Sequence, residues 1–220
     1  MAKKPAEHEP RGTMDEDPVV RAILKAISLK KIRPGAKLGE AELAGFFNTN
    51  RPHIRQALSH LASSRVVTLY PNRGAFVAEP SPQEAREVFA TRRALESETV
   101  ALLVDAMTPA KAAELSKALH CGHHSHIDDR WDELVLGAEF HTTIARLAGN
   151  RVLTKFVEEL VLRTSLIISR FEATSQGDCS PDAHPDIASR IVARDKSGAI
   201  RAMVEHLSQM EARLPLDGES

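Results

Sequence analysis

Cysteine is nearly missing: Cys121 and Cys179 are the only two in 220 residues. Two thiols make no disulfide framework, and the chain reads as cytoplasmic. No apolar run reaches the roughly eighteen residues of a membrane span, and the opening MAKKPAEHEPRGTMDED has no signal-like stretch, so insertion and export are both excluded as expectations. Strand signal is almost lacking after Pro82, which rules out a large sheet in the second half. Net charge is small too, −1, but it hides an asymmetry. Residues 1–80 hold 13 Lys and Arg against 8 Asp and Glu, a balance of +5, while residues 81–220 hold 16 against 22, a balance of −6. A basic N-terminal part agrees with nucleic-acid binding, although such a balance also occurs on ordinary solvated surfaces.

What is there begins with Leu38 to Ala78. A short amphipathic helix is predicted over Glu40–Phe46, with Leu43 and Phe46 or Phe47 on its apolar side and Glu40 and Glu42 at the positive end of its dipole. Asn48-Thr49-Asn50 forms a polar turn and N-cap for a second helix, where Pro52 is tolerated early because first-turn amides lack intrahelical partners. Ile54, Leu58 and Leu61 recur at helical spacing, and Ala57 is small enough for a close helix crossing. Arg51, Arg55 and Gln56 lie on the opposite face. Val66–Leu69 and Ala75–Val77 then alternate like strands around Pro71-Asn72-Arg73-Gly74. Together these form a helix-turn-helix with a wing. In such a fold the N-terminal end of the second helix enters the major groove, where Arg pairs with guanine and Asn or Gln with adenine. Arg73 at the wing tip suits phosphate or the minor groove. The DNA-binding candidates are therefore Asn50, Arg51, His53, Arg55, Gln56, Asn72, Arg73 and Gly74, against the alternative that the arginines form a merely solvated face.

Around this head, residues 1–17 read as a disordered tail, and a scaffold helix starts at Pro18 with Val19, Val20, Ile23, Leu24 and Ile27 inward. The head spans 18–78, the link 79–81, the second domain 82–214 and a tail 215–220. Ser81-Pro82 is a helix start. Helices follow at Pro82–Met107, Pro109–His120, Asp128–Leu147, Arg151–Arg170, His184–Ala193 and Lys196–Leu214. The fold class is mainly α: a winged helix-turn-helix, then an all-helical antiparallel bundle with a ligand cavity between its helices. Paired DNA half-sites want paired readers, so a homodimer is expected.

The runs KIRPGAKLGEAELAGFF, NRPHIRQALSHL and YPNRGAFVAEPSPQEAREVFATRRALE resemble the GntR family of bacterial transcription regulators, in the FadR-like branch with a helical FCD effector domain. The resemblance covers nearly the whole chain after the tail. Where the family has Ser-Arg-Thr-Pro-Val-Arg-Glu-Ala-Leu, this chain has Asn50-Arg51-Pro52-His53-Ile54-Arg55-Gln56-Ala57-Leu58, keeping both arginines and changing their neighbours. A Gly usually ends the recognition helix, but Arg65 stands here, at a cost on the order of 1 kcal/mol if it is held at positive φ.

The resemblance also implies a metal site. His141, His184 and His206 match the family's metal-binding histidines, which an Asp four residues before the first one joins. Gly137 replaces that Asp. Three histidines plus water or an effector carboxylate still describe a reasonable site for zinc, nickel or manganese, with Glu133 within reach through water and Glu139 on a different part of the helix surface. The alternative is that each histidine is a hydrogen-bonded core residue. Arg92 and Arg93 point about 100° apart, so at most one faces the cavity squarely, and by resemblance to members that bind small carboxylates Arg92 is the leading effector ligand. Arg163 and Asn150 are secondary candidates; the structural readings are Arg92 as a helix-helix ion pair with a glutamate and Asn150 as a helix C-cap. The cluster His120-Cys121-Gly122-His123-His124-Ser125-His126 is given no function.

These readings imply a transcription regulator, not an enzyme: a repressor of a small-acid operon, released when an organic acid enters the helical domain. Two alternatives are a metal-dependent hydrolytic enzyme using the three histidines, and an architectural DNA-binding protein with a vestigial pocket.

Overall fold

The computed structural model describes residues 17–120, 130–172 and 183–217. The two tails before Asp17 and after Asp217, and the cysteine and histidine cluster after His120, lie outside the described residues. Helix α1 (Pro18–Ser28) starts where Asp17 Oδ1 accepts from the Val19 and Val20 amides, with Pro18 in the first turn. It is followed by β1 (Lys37–Leu38), α2 (Glu40–Phe46), α3 (Arg51–Ser63), β2 (Val67–Tyr70) and β3 (Gly74–Val77). The strands form one antiparallel sheet in the order β1-β3-β2, with Leu38 opposite Ala75 and Tyr70 opposite Gly74. The two-residue β1 escaped the sequence pattern because alternation cannot register over so short a run.

Ile54, Ala57, Leu58 and Leu61 of α3 are fully buried against Val20, Ile23 and Ile27 of α1 and Val67, Ala75 and Val77 of the sheet. Each large apolar side chain of this kind contributes about 1.5–3 kcal/mol. Leu43 and Phe47 pack on the same core, whereas Phe46 is 82% exposed, which removes it from the apolar side expected of α2.

Several helices end on a residue in the left-handed region, and few of these residues are glycine. Lys30 (φ 57°), Asn48 (φ 48°), Arg65 (φ 54°) and Arg194 (φ 59°) take that position after α1, α2, α3 and α8 (Ala183–Val192). At Arg65 the flanking bonds, Arg65 N–H to Ala62 O and Val66 N–H to Leu61 O, close the helix in a Schellman-type end.

Ser81 Oγ accepts from the Glu84 amide and opens α4 (Pro82–Asp105). The bundle continues with α5 (Pro109–His120), α6 (Arg130–Ala148), α7 (Arg151–Phe171), α8 and α9 (Lys196–Ala212). Helix α4 ends two residues before the expected Met107. Gly149 (φ 82°) closes α6, and Asn150 caps α7 rather than ending α6. Helix α4 is central, packing on α6, α7, α8 and α9.

Helix α7 also crosses to the head, which the sequence reading did not anticipate. Leu166, 1% exposed, belongs to the head core, and Ser169 Oγ donates to the Ile27 carbonyl at 2.7 Å. Lys30 Nζ donates to the Glu172 carbonyl at 2.5 Å, and Arg170 lies 3.6 Å from Glu79 in the link. The head is thus held by a packed helix as well as by residues 79–81.

Candidate DNA-reading face and histidine centre

Asn50 Oδ1 accepts from the His53 amide at 2.9 Å and so fixes the start of α3. Arg51, Arg55 and Gln56 are exposed along that start. His53 is half-buried and engaged on both ring nitrogens: Nδ1 meets Thr49 Oγ1 at 2.9 Å and Nε2 meets Asp17 Oδ2 at 2.6 Å. Burial works to raise the Asp17 pKa, but the hydrogen bonds from His53 and the two cap amides more than offset this and bring it below its usual value. His53 therefore ties α1 to the recognition helix. Arg55 is also engaged: its Nε and Nη2 grip the Glu40 carboxylate at 2.8–3.1 Å while 68% of its side chain stays exposed.

At the wing, Pro71 and Asn72 (φ 60°) occupy the central turn positions, and the Arg73 amide donates to the Tyr70 carbonyl at 3.1 Å. A turn with positive φ at its third residue favours Asn or Gly there, with Pro before it. Asn72, Arg73 and Gly74 are all exposed. The Arg73 guanidinium lies 5.3 Å from the Tyr70 ring centre and 5.7 Å from that of Phe76. That is within cation–π range, so the basic group is held at the tip rather than waving free.

Inside the bundle, α6, α8 and α9 bring His141, His184 and His206 together. The His184 and His206 Nε2 atoms are 3.2 Å apart, and those of His206 and His141 are 3.3 Å apart. Phe140 stacks on the His184 ring at 4.2 Å. Behind them Arg92 Nε donates to Glu96 Oε1 at 2.6 Å, and His141 Nδ1 donates to Glu96 Oε2 at 2.5 Å. All three of these side chains are almost wholly buried. Burial pushes the Glu96 pKa up, but Arg92 and then His141 overcome it, taking the carboxyl down to about 2. Burial, then the neighbouring His141, lowers His184 to about 3. Burial with His141 and His184 lowers His206 to about 2.

This arrangement fits a metal. With its Nδ1 proton spent on Glu96, neutral His141 turns an Nε2 lone pair toward the other two rings, and a carboxylate behind a ligating histidine is the usual support for such a ligand. Three histidines within 4.8 Å of one another can hold an ion, leaving a position open for another group. Glu96 was missed by the sequence reading. Its partner His141 is 45 residues away, and only its place four residues after Arg92 offered a hint.

Arg92 turns inward, 2% exposed, and its Nη2 has no hydrogen-bond partner among the described residues. Arg93 turns to Glu211 at 2.5 Å. Neither Asn150 nor Arg163 joins the centre: Asn150 Oδ1 accepts from the Leu153 amide, and Arg163 pairs with Glu84 near the start of α4. Each makes a structural contact away from the histidine centre, while the Arg163 Nε, like the Arg92 Nη2, is buried without a hydrogen-bond partner among the described residues. Gly137 is buried and brings no ligand atom, Glu139 is exposed, and the side chain of Glu133 lies outside the described residues.

A winged head with an exposed basic reading edge, joined to a helical domain with a buried polar centre, defines a ligand-responsive DNA-binding regulator. The signature described as bacterial regulatory proteins, gntR family, matches residues 16–77, and the FCD domain signature matches residues 87–209. The chain belongs to the GntR family of transcription regulators, in the branch that carries an FCD domain. It is 26% identical over 184 residues to the HTH-type transcriptional repressor RspR of Escherichia coli strain K12, covering 81% of this chain and 79% of that protein. It is 28% identical over 193 residues to the repressor GlaR of the same strain, covering 80% and 84%. Among solved structures, E. coli McbR/YncC has the same fold, with a TM-score of 0.73 at 24% identity over 88% of this chain and 93% of that one. A GntR regulator from Rhodococcus sp. RHA1 gives 0.72 at 21% identity over 92% and 97%. These relatives are regulators and lend no support to the hydrolytic reading. Among the described residues no helix is long and apolar enough to cross a membrane.

Proposed function

We propose that the chain is a cytoplasmic, homodimeric repressor whose operator binding is weakened when a small organic acid occupies the helical domain. The head is assigned to residues 18–78 and the effector domain to 82–214, joined by 79–81. In this reading Arg51, Arg55 and Gln56 face base edges, Asn50 sets the start of their helix, and Asn72, Arg73 and Gly74 approach the backbone or minor groove. His53 serves the reading edge indirectly, by bracing it against Asp17.

His141, His184 and His206 would hold a divalent ion such as zinc, nickel or manganese through Nε2. When bound, such an ion supplies a Lewis-acid position for a ligand oxygen. Arg92 would take the acid's carboxylate on its outer edge, the fork geometry that arginine offers and lysine does not. The observation that carries this reading is the buried, unpartnered Nη2 of Arg92 beside three converging imidazoles. An unmet buried donor costs about 1–3 kcal/mol, which a bound carboxylate would recover. The acid can shift the heads only by as much as it prefers one arrangement over the other.

Thermal unfolding tests the assignment. Dialysis against EDTA should lower Tm, zinc, nickel or manganese should restore it, and some member of a panel of small organic acids should raise it further. His184→Ala should purify with less metal. Unchanged metal content in that variant would remove the histidines as ligands, and stabilisation by no acid would remove the effector role.

A further inference from the structure

An arginine has two forks. One is formed by Nε with Nη2, the other by Nη1 with Nη2, and either matches a carboxylate or the O6 and N7 of guanine. In this chain Glu40, the first residue of α2, occupies the first fork of Arg55. Nε donates to Oε1 at 3.0 Å and to Oε2 at 3.1 Å, and Nη2 donates to Oε2 at 2.8 Å. The pair bridges two helices, 15 residues apart in sequence, on the exposed side of the head. We infer that Glu40 is a positioning residue for DNA reading: its carboxylate holds the Arg55 guanidinium by the Nε–Nη2 side and presents the Nη1–Nη2 edge for a guanine.

The inference rests on the reading of Arg55 as a base contact. It follows from how the two roles divide the donors. A long exposed arginine loses rotamer freedom when it binds, and prior fixation by a second helix removes much of that loss. Surface ion pairs of this exposure contribute little to stability, so a bidentate grip here has more to do with geometry than with holding the fold. The sign of the effect also separates this role from simple electrostatics. A carboxylate near a DNA-facing edge repels phosphate, so if Glu40 acted only through its charge, its removal would tighten binding to any duplex.

The test uses the full-length protein and duplexes selected by it from a random pool, with scrambled duplexes as controls. Glu40→Gln keeps the size of the side chain and removes the charged grip. It is expected to bind the selected duplex about three- to tenfold more weakly, the scale of freeing one long side chain, with scrambled DNA bound as before or slightly better. Replacing the contacted guanine by 7-deazaguanine removes N7, and the wild type should lose more from this than Glu40→Gln does. Glu40→Asp, which keeps the charge but is too short for the two-point grip, should share the operator loss and guards against a folding artefact. Equal or tighter operator binding by Glu40→Gln, or an unchanged 7-deazaguanine penalty, overturns the inference. If Arg55→Ala itself binds the selected duplex normally, the base-reading role of Arg55 fails first and the inference goes with it.

Discussion

At the residue scale, this chain places charged side chains where glycine would be easier. Arg65 sits at φ 54° after the recognition helix, where an L residue with a β-carbon is strained and glycine is not. Arg65→Gly should therefore stabilise the protein by up to about 1 kcal/mol, less whatever the freer unfolded chain gives back. Chemical denaturation reads this directly, and a lower midpoint would mean the arginine side chain holds something in place. The strained position was legible through the resemblance, since Arg65 stands where the family usually has a helix-ending glycine. The Arg92–Glu96–His141 relay was not. Helical direction allowed only one of Arg92 and Arg93 to face inward and the family resemblance chose Arg92, but no spacing rule connects Glu96 to a ring 45 residues later. The His53 bond to Asp17 was hidden for the same reason, because Asp17 lies 36 residues away at the N-cap of α1.

At the element scale, α2 is the least secured helix of the head. It has no side-chain cap and buries no residue fully, so it is held mainly by Leu43 and Phe47 packing on the head core. Its existence was readable from spacing, but which phenylalanine turns inward was not. Helix α7 is the opposite case. Val157 and Val161 pack with Ala145, one turn beyond His141, and with Leu95, between Arg92 and Glu96. One or two turns further on, Leu166 and Ser169 engage the head. One rod thus touches both the segments that carry the buried centre and the scaffold helix of the reader. Its sequence showed only a helix with an apolar side, because a pattern reports how much surface is buried and not against which partner. Ser169→Ala removes one buried hydrogen bond, worth about 0.5–1.5 kcal/mol, and should leave operator affinity near wild type while blunting the response to the acid. A full response in this variant would show that α7 does not carry the signal and would leave the link at 79–81 as the route.

At the scale of the whole molecule, two chemistries share one chain without touching. The head offers an exposed, oriented set of cations, and the bundle offers a buried polar centre in which the Arg92 Nη2 has no partner among the described residues. The division was plain in the charge balance and in the loss of strand signal after Pro82, since both are bulk properties of long segments. The contact between the two parts was not plain, since it depends on a handful of residues that would read identically in a bundle standing alone. The account holds that what enters the centre is felt at the reading edge.

Arg92→Lys tests this most directly, because it keeps a positive charge beside Glu96 but loses the fork. Retention of the selected duplex should be measured for wild type and variant while the organic acids are titrated in. The account predicts that an acid which releases the wild type leaves Arg92→Lys bound at more than about tenfold higher concentration, a loss of about 1.4 kcal/mol, with both proteins equal in its absence. Release of both at the same concentration, or of neither by any acid, would contradict it.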